Sequence, residues 1–216
     1  MKPRALILLL GTCLAGPAMA EGVLAQLYAP RPAPGSAFVR VVNPTPDTLK
    51  VKISTGTEQA IGPAQLASSY AIVKGDEPFT VTINGKSAGQ MTVKKDSFNT
   101  LVQQGGKFQV LDDSAGSDDA MKAELRFYNL ASDCAKGSLS VDGGPQLFND
   151  VAPLSTTARA INPVSAELTA GCGSASTEKL KLPQLHAGDH YSLFLTGSAA
   201  KPVLKGLLSS TEPVGK

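Results

Sequence analysis

Phe38-Val39-Arg40-Val41-Val42-Asn43 and Glu124-Leu125-Arg126-Phe127-Tyr128-Asn129 are one phrase written twice, and that repetition decides the fold. In each copy an Arg stands three residues before an Asn that ends an alternating run. An Asp follows four residues after each Asn (Asp47, Asp133), and a Lys three further on (Lys50, Lys136). Later, Asp96-Ser97-Phe98 leading into Thr100-Leu101-Val102 is echoed by Asp189-His190-Tyr191 leading into Leu193-Phe194-Leu195. A spacing of roughly ninety residues is too long for a solenoid repeat and reads as two tandem copies of one small domain. Duplicated small β-domains more often bind and bridge than catalyse.

Around these phrases, 21 Gly and 15 Pro interrupt the chain, and no long window carries apolar residues at helical spacing. Short alternating runs are frequent instead. The first half has Phe38 to Asn43, Leu49 to Ser54, Phe79 to Ile83, Gln90 to Lys94 and Thr100 to Gln104. The second has Glu124 to Asn129, Ser138 to Val141, Val164 to Thr169, Lys179 to Leu182 and Tyr191 to Thr196. Such runs between turn signals predict an all-β protein of two tandem antiparallel β-sandwich domains. Asn84-Gly85 and Asp142-Gly143 supply tight-hairpin signals. Alternation turns Val39, Val41, Leu125 and Phe127 inward and puts Arg40 and Arg126 on the opposite face. Each core is small, so neither domain is expected to be strongly stable alone.

Residues 1–20 carry Lys2 and Arg4, an apolar run at Leu6-Ile7-Leu8-Leu9-Leu10 and an Ala18-Met19-Ala20 cleavage pattern. They are expected to be a signal peptide, which places the protein in a bacterial periplasm. The expected domains are 21–111 and 121–210, joined by a short acidic linker at 112–120, with a flexible tail at 211–216. The linker reading rests on Asp112, Asp113, Asp118 and Asp119, four acids in a stretch with no apolar period. Removing Lys2 and Arg4 leaves 18 basic against 18 acidic residues. A neutral mature chain offers no bulk attraction for nucleic acid or an acidic polymer. Cys134 and Cys172 then remain, and in an oxidising compartment two leftover cysteines usually pair. The alternative is two free buried thiols.

No catalytic, cofactor or metal site is predicted. The two histidines, His186 and His190, flank Gly188-Asp189, where the repeat places a turn and not the helix that would align two ligands. No Gly-x-Ser-x-Gly elbow occurs, and Asp76 and Glu77 are loop neighbours with no cleft between them. With no Trp and only four scattered Tyr, sugar stacking is weakly provided for, leaving at most a weak polysaccharide contact. The duplicated Arg and Asn have two readings. In the ordinary one, each Asn bonds its own turn and each Arg stem covers apolar surface. In the other, Arg40 and Arg126 form a partner-facing patch together with Tyr28 in the arm from Tyr28 to Pro34.

Taken in order, several pieces resemble one family, that of the alginate O-acetylation protein AlgF. They are Leu27-Tyr28-Ala29-Pro30, Gly35-Ser36-x-Phe38-Val39-Arg40 with Asn43, and Leu101-Val102 with Gly105-Gly106-Lys107. Arg126 with Asn129-Leu130, Ile161-Asn162-Pro163-Val164 and Leu195-Thr196-Gly197-Ser198 complete the set. The resemblance implies a periplasmic protein needed for O-acetylation of a secreted exopolysaccharide, with two β-sandwich domains and no demonstrated catalysis; two similar domains on one linker, able to hold two partners at once, then suggest a non-catalytic adaptor. Its implied partners are periplasmic acetyltransferases and a membrane acyl transferase. Alginate is the polymer the resemblance favours, with acetylated cellulose as the alternative. A polysaccharide-binding module that presents polymer, or an acetyl-transferring enzyme, are the other readings.

Overall fold

The computed structural model describes residues 32–116, 119 and 121–213. The expected signal peptide, Tyr28 and the start of its arm, Ser117, Asp118 and Ala120 of the linker, and the last three residues of the tail lie outside them. The described residues contain strands and no α-helix. The first domain holds β1 (Ser36–Val42), β2 (Leu49–Ile53), β3 (Gln59–Ile61), β4 (Ala71–Lys74), β5 (Phe79–Ile83), β6 (Lys86–Met91), β7 (Phe98–Gln104) and β8 (Lys107–Asp112). The second holds β9 (Ala123–Asn129), β10 (Gly137–Val141), β11 (Gln146–Val151), β12 (Ser155–Ile161), β13 (Glu167–Cys172), β14 (Ala175–Ser176), β15 (Leu180–Lys181), β16 (His190–Ser198) and β17 (Lys201–Leu208).

Each domain is two sheets over one core. The orders are β4-β1-β7-β8 with β3-β2-β5-β6, and β12-β9-β16-β17 with β11-β10-β13-β14, β15 joining β13. The two copies share a topology, but the sandwiches are not wholly antiparallel. β1 runs parallel to β7, and β9 runs parallel to β16 in the second domain. Parallel neighbours need a crossover; here the intervening strands supply it by building the other sheet and one edge. Val39, Val41 and Leu101 enter the first core, and Leu125, Phe127, Leu193 and Leu195 the second, as alternation predicts. Asn84 and Gly85 both have positive φ in the β5–β6 turn, the conformation those residues tolerate. Cys134, in the turn after β9, is bonded to Cys172 at the end of β13.

A third apolar cluster lies between the domains. Val42, Leu66, Ala67, Val102 and Leu111 of the first domain meet Tyr128, Leu130 and Phe194 of the second. The sheets containing β1 and β9 therefore cover one another, and the other two sheets are the outer layers. This interface joins the domains in addition to the connecting segment. It also corrects the reading of Arg40 and Arg126 as exposed. Both are buried, because the face opposite each core is covered by the other domain and not by water.

The linker and tail are corrected in the same way. Asp113, read as part of the acidic linker, is buried at the junction. Thr211 to Pro213 follow a segment tied to the first domain. Tyr70 N–H donates to Ser210 O at 2.8 Å, and Glu212 N–H donates to Tyr70 O at 2.8 Å. The Glu212 carboxylate accepts from Gln59 Nε2 at 2.6 Å and from Thr57 N–H at 3.1 Å.

Candidate functional site at the domain junction

Arg40 is central to the junction. β1 carries it at the middle of an inner sheet, facing away from Val39 and Val41, so its guanidinium emerges against the second domain. It is 0% exposed, the largest side chain so fully enclosed. Burying a guanidinium is costly unless its donors are met. Four of its five N–H groups find hydroxyls: Nε donates to Thr100 Oγ1 (2.9 Å), Nη1 to Ser209 Oγ (3.1 Å), and Nη2 to Tyr128 Oη (2.6 Å) and Ser192 Oγ (2.8 Å). The rings of Tyr70, Tyr128 and Phe194 lie 4.6, 5.4 and 5.6 Å from its central carbon, within cation–π range.

The countercharge arrives through hydroxyls. Tyr70 donates to Asp113 Oδ2 and Tyr128 to Oδ1, each at 2.8 Å, and Thr100 also donates to Oδ2. Tyr128 and Thr100 thus accept from Arg40 and donate to Asp113 in the same chain of bonds. Burial by itself would lower the Arg40 pKa, but Tyr128, Tyr70 and Asp113 around it leave the value raised. Tyr128 is pushed up to about 12 by burial, partly opposed by Arg40, and burial also raises Tyr70. Both phenols are therefore neutral donors, and the cluster is one cation and one carboxylate bridged by hydroxyls.

The repeat-equivalent position is built differently. Arg126 stands beside Ser192 in the parallel pairing, as Arg40 stands beside Thr100. Its Nη2 contacts Glu124 Oε1 at 2.9 Å, its Nε the same oxygen at 3.2 Å, and its Nη2 also reaches Ala115 O at 2.5 Å. His190 Nδ1 approaches Glu124 Oε1 at 3.5 Å. The hydrogen bond with Glu124 raises the His190 pKa above its ordinary value, against a smaller lowering by burial. This half of the junction stays open as a cleft of about 530 Å³ whose lining includes Tyr70, Phe98, Asp113, Glu124, Arg126 and His190. Phe98, 38% exposed, stacks on Phe38 with centroids 4.3 Å apart and lies nearly perpendicular to the Tyr70 ring at 5.4 Å.

The structure thus brings Arg40 and Arg126 to the same junction but gives them separate partners, and Tyr28 lies outside the described residues. Asn43 Nδ2 donates to Asp47 O at 2.6 Å and Asn129 Nδ2 to Cys134 O at 2.8 Å, so each Asn does bond its own turn. His186 is exposed, its N–H held by Asp189 Oδ2 at 2.7 Å. Among the described residues no group of three or more His, Cys, Asp or Glu is placed to hold a metal ion. Sequence reading missed Tyr70, Thr100, Asp113, Ser192 and Ser209. The available signal was apolar: Phe38, Val42, Tyr128 and Phe194 share the face assigned to water.

Two duplicated β-sandwiches, closed on each other around the enclosed guanidinium of Arg40, define a two-domain all-β protein whose main polar cluster joins its halves. The chain belongs to the AlgF family: the family described as "Alginate O-acetyl transferase AlgF" matches residues 9–192. An "Alginate biosynthesis protein AlgF" of Pseudomonas putida is 30% identical over 93% of this chain and 92% of its own. The protein of that name from Pseudomonas aeruginosa is 32% identical over 81% of this chain and 79% of its own. Solved structures of the C-terminal and N-terminal domains of AlgF from P. aeruginosa are 32% and 28% identical. They cover 41% and 38% of this chain and 98% of each domain, with TM-scores of 0.36 and 0.29.

Proposed function

We propose that this chain is a non-catalytic periplasmic adaptor in the O-acetylation of a secreted exopolysaccharide, alginate being the polymer its relatives' names favour. It holds together the periplasmic acetyltransferases and the membrane acyl transferase that pass acetyl groups to the polymer. The observation that carries the adaptor reading is the back-to-back packing of the inner sheets. It leaves two outer sheets on opposite sides of a four-layered body, one per domain. The first outer sheet presents Lys50, Lys52, Thr80, Thr82 and Gln90; the second presents Ser138, Ser140, Thr169 and Ser176. Two separate faces suit two partners, and joining two sites on one body raises the effective concentration of the second partner without chemistry. The arm from Tyr28 is a further proposed contact.

Cells lacking this chain are expected to secrete the polymer in normal yield but without ester-linked acetate, and the full chain is expected to restore it. Polymer that remains acetylated in its absence would sink the reading. The family's description as an alginate O-acetyl transferase supports a second reading, that of a transferase. An acetyl-ester turnover assay on the purified protein separates the two: His190-dependent turnover would make it an enzyme, and none is expected. Fractionation should find the mature chain in the periplasm.

A further inference from the structure

Two domains on a flexible linker and two domains fused into one body are different bridges. The first lets its partners wander over a range set by the linker; the second holds them at one separation and angle. Three ties bear on which applies. Arg40 sends hydrogen bonds to Tyr128, Ser192 and Ser209 of the second domain, while Thr100 of the first domain and Asp113 of the connecting segment complete the cluster. The connecting segment is held soon after β8, since Asp113 is buried and Ala115 O is bound by Arg126. The segment after β17 returns to pair with Tyr70.

Separation of the domains would hydrate a guanidinium now enclosed by three rings and split the apolar cluster of Val42, Val102, Tyr128 and Phe194. An intermediate opening is worse than either extreme, because it breaks hydroxyl bonds to Arg40 before water can replace them. The junction therefore has one well-determined closed geometry.

We propose that the Arg40–Asp113 cluster is an interdomain latch, and that it makes this chain a rigid spacer between its partners instead of a flexible tether. The latch is a statement about the fold; the spacer role rests on the adaptor reading above. The latch gives both outer sheets a fixed relative orientation, so the distance between two docked partners is a property of the protein. It also gives the open cleft beside Arg126 and His190 walls from both domains that do not move apart.

The first test is residual dipolar couplings on the full chain in a weakly aligning medium. Couplings from both halves are expected to fit one alignment tensor; two distinct tensors would overturn the latch. The second test uses Arg40→Met and Phe194→Ser, which touch neither sandwich core. Each domain should keep its amide shifts while the tensors diverge. Simultaneous capture of a soluble polysaccharide acetyltransferase and the periplasmic part of the membrane acyl transferase should weaken by about tenfold or more. Capture of each alone should be unchanged. Should either variant fail to fold, Tyr128→Phe, which removes one hydroxyl and keeps the ring, is expected to give the same effects in smaller measure. Divergent tensors with unchanged double capture would overturn the spacer role and leave the latch. If the wild-type chain captures neither partner, the adaptor reading and the spacer role both fall, and the tensors still decide the latch.

Discussion

The Tyr128 hydroxyl has two tasks, accepting from Arg40 and donating to Asp113, so its removal strands a donor and an acceptor in a dry place. Tyr128→Phe is expected to destabilise the protein by about 1–3 kcal/mol, the usual cost of an unmet buried polar group. Arg40→Met leaves a buried carboxylate without its cation and is expected to cost about 3–5 kcal/mol. Urea unfolding of the two variants checks the ranking; equal, negligible losses would show that water fills the junction. His190 gives a pH-dependent counterpart. Glu124 raises its folded pKa above the ordinary value of about 6.5. The protonated form is thus favoured by folding: its contribution is complete below the unfolded pKa and is lost as pH rises through the higher folded pKa. A histidine titration by NMR should place His190 above about 6.5, and Glu124→Gln should bring it down. Arg40 and His190 look alike in the sequence, each a basic residue near an inner strand. Only their covering differs: Arg40 is enclosed, whereas His190 opens on the cleft.

Among the elements, the strands with clean alternation and apolar content were legible, β1, β2, β5, β7, β9, β10 and β16 above all. Those missed are edge or short strands whose residues do not alternate. β12 is partly covered on both faces, so no apolar period marks it. β17 carries Pro202 and Gly206, which argue against a strand interior, yet an edge strand tolerates a residue with no N–H to donate. Strand order was not legible, because the parallel pairing of β1 with β7 depends on where the chain goes in between. The bridge from Cys134 to Cys172 works at this scale. It ties the turn after β9 in the inner sheet to β13 in the outer one, across 38 residues of chain. By the chain-entropy argument it contributes about 4 kcal/mol. Reduced protein, or Cys134→Ala with Cys172→Ala, should unfold at markedly lower denaturant, measured by circular dichroism. An unchanged midpoint would mean that the bridge constrains little in the unfolded chain.

The whole molecule is expected to unfold as one unit. Each sandwich core is small, and the interdomain cluster with its latch couples them, so heating the full chain should give a single calorimetric transition. Phe194→Ser should split it into two, one per domain; two transitions in the wild type would mean that the interface is weak. The sequence alone established the duplication, the all-β class, the inward residues of the main strands and the family resemblance, since each is written in local pattern; it pointed to a Cys134–Cys172 bridge, which the structure decided against two free thiols. It could not say what covers the second face of an inner strand. Alternation tells which residues share a face, but the same polar residue lies in water or against another domain according to contacts made far along the chain. The tertiary structure alone decided that Arg40 is enclosed, that Asp113 leaves the acidic linker to balance it through Tyr128, Tyr70 and Thr100, and that the segment after β17 returns to Tyr70. Burying this guanidinium takes donors and acceptors from six other segments at once, and only the folded chain brings them together.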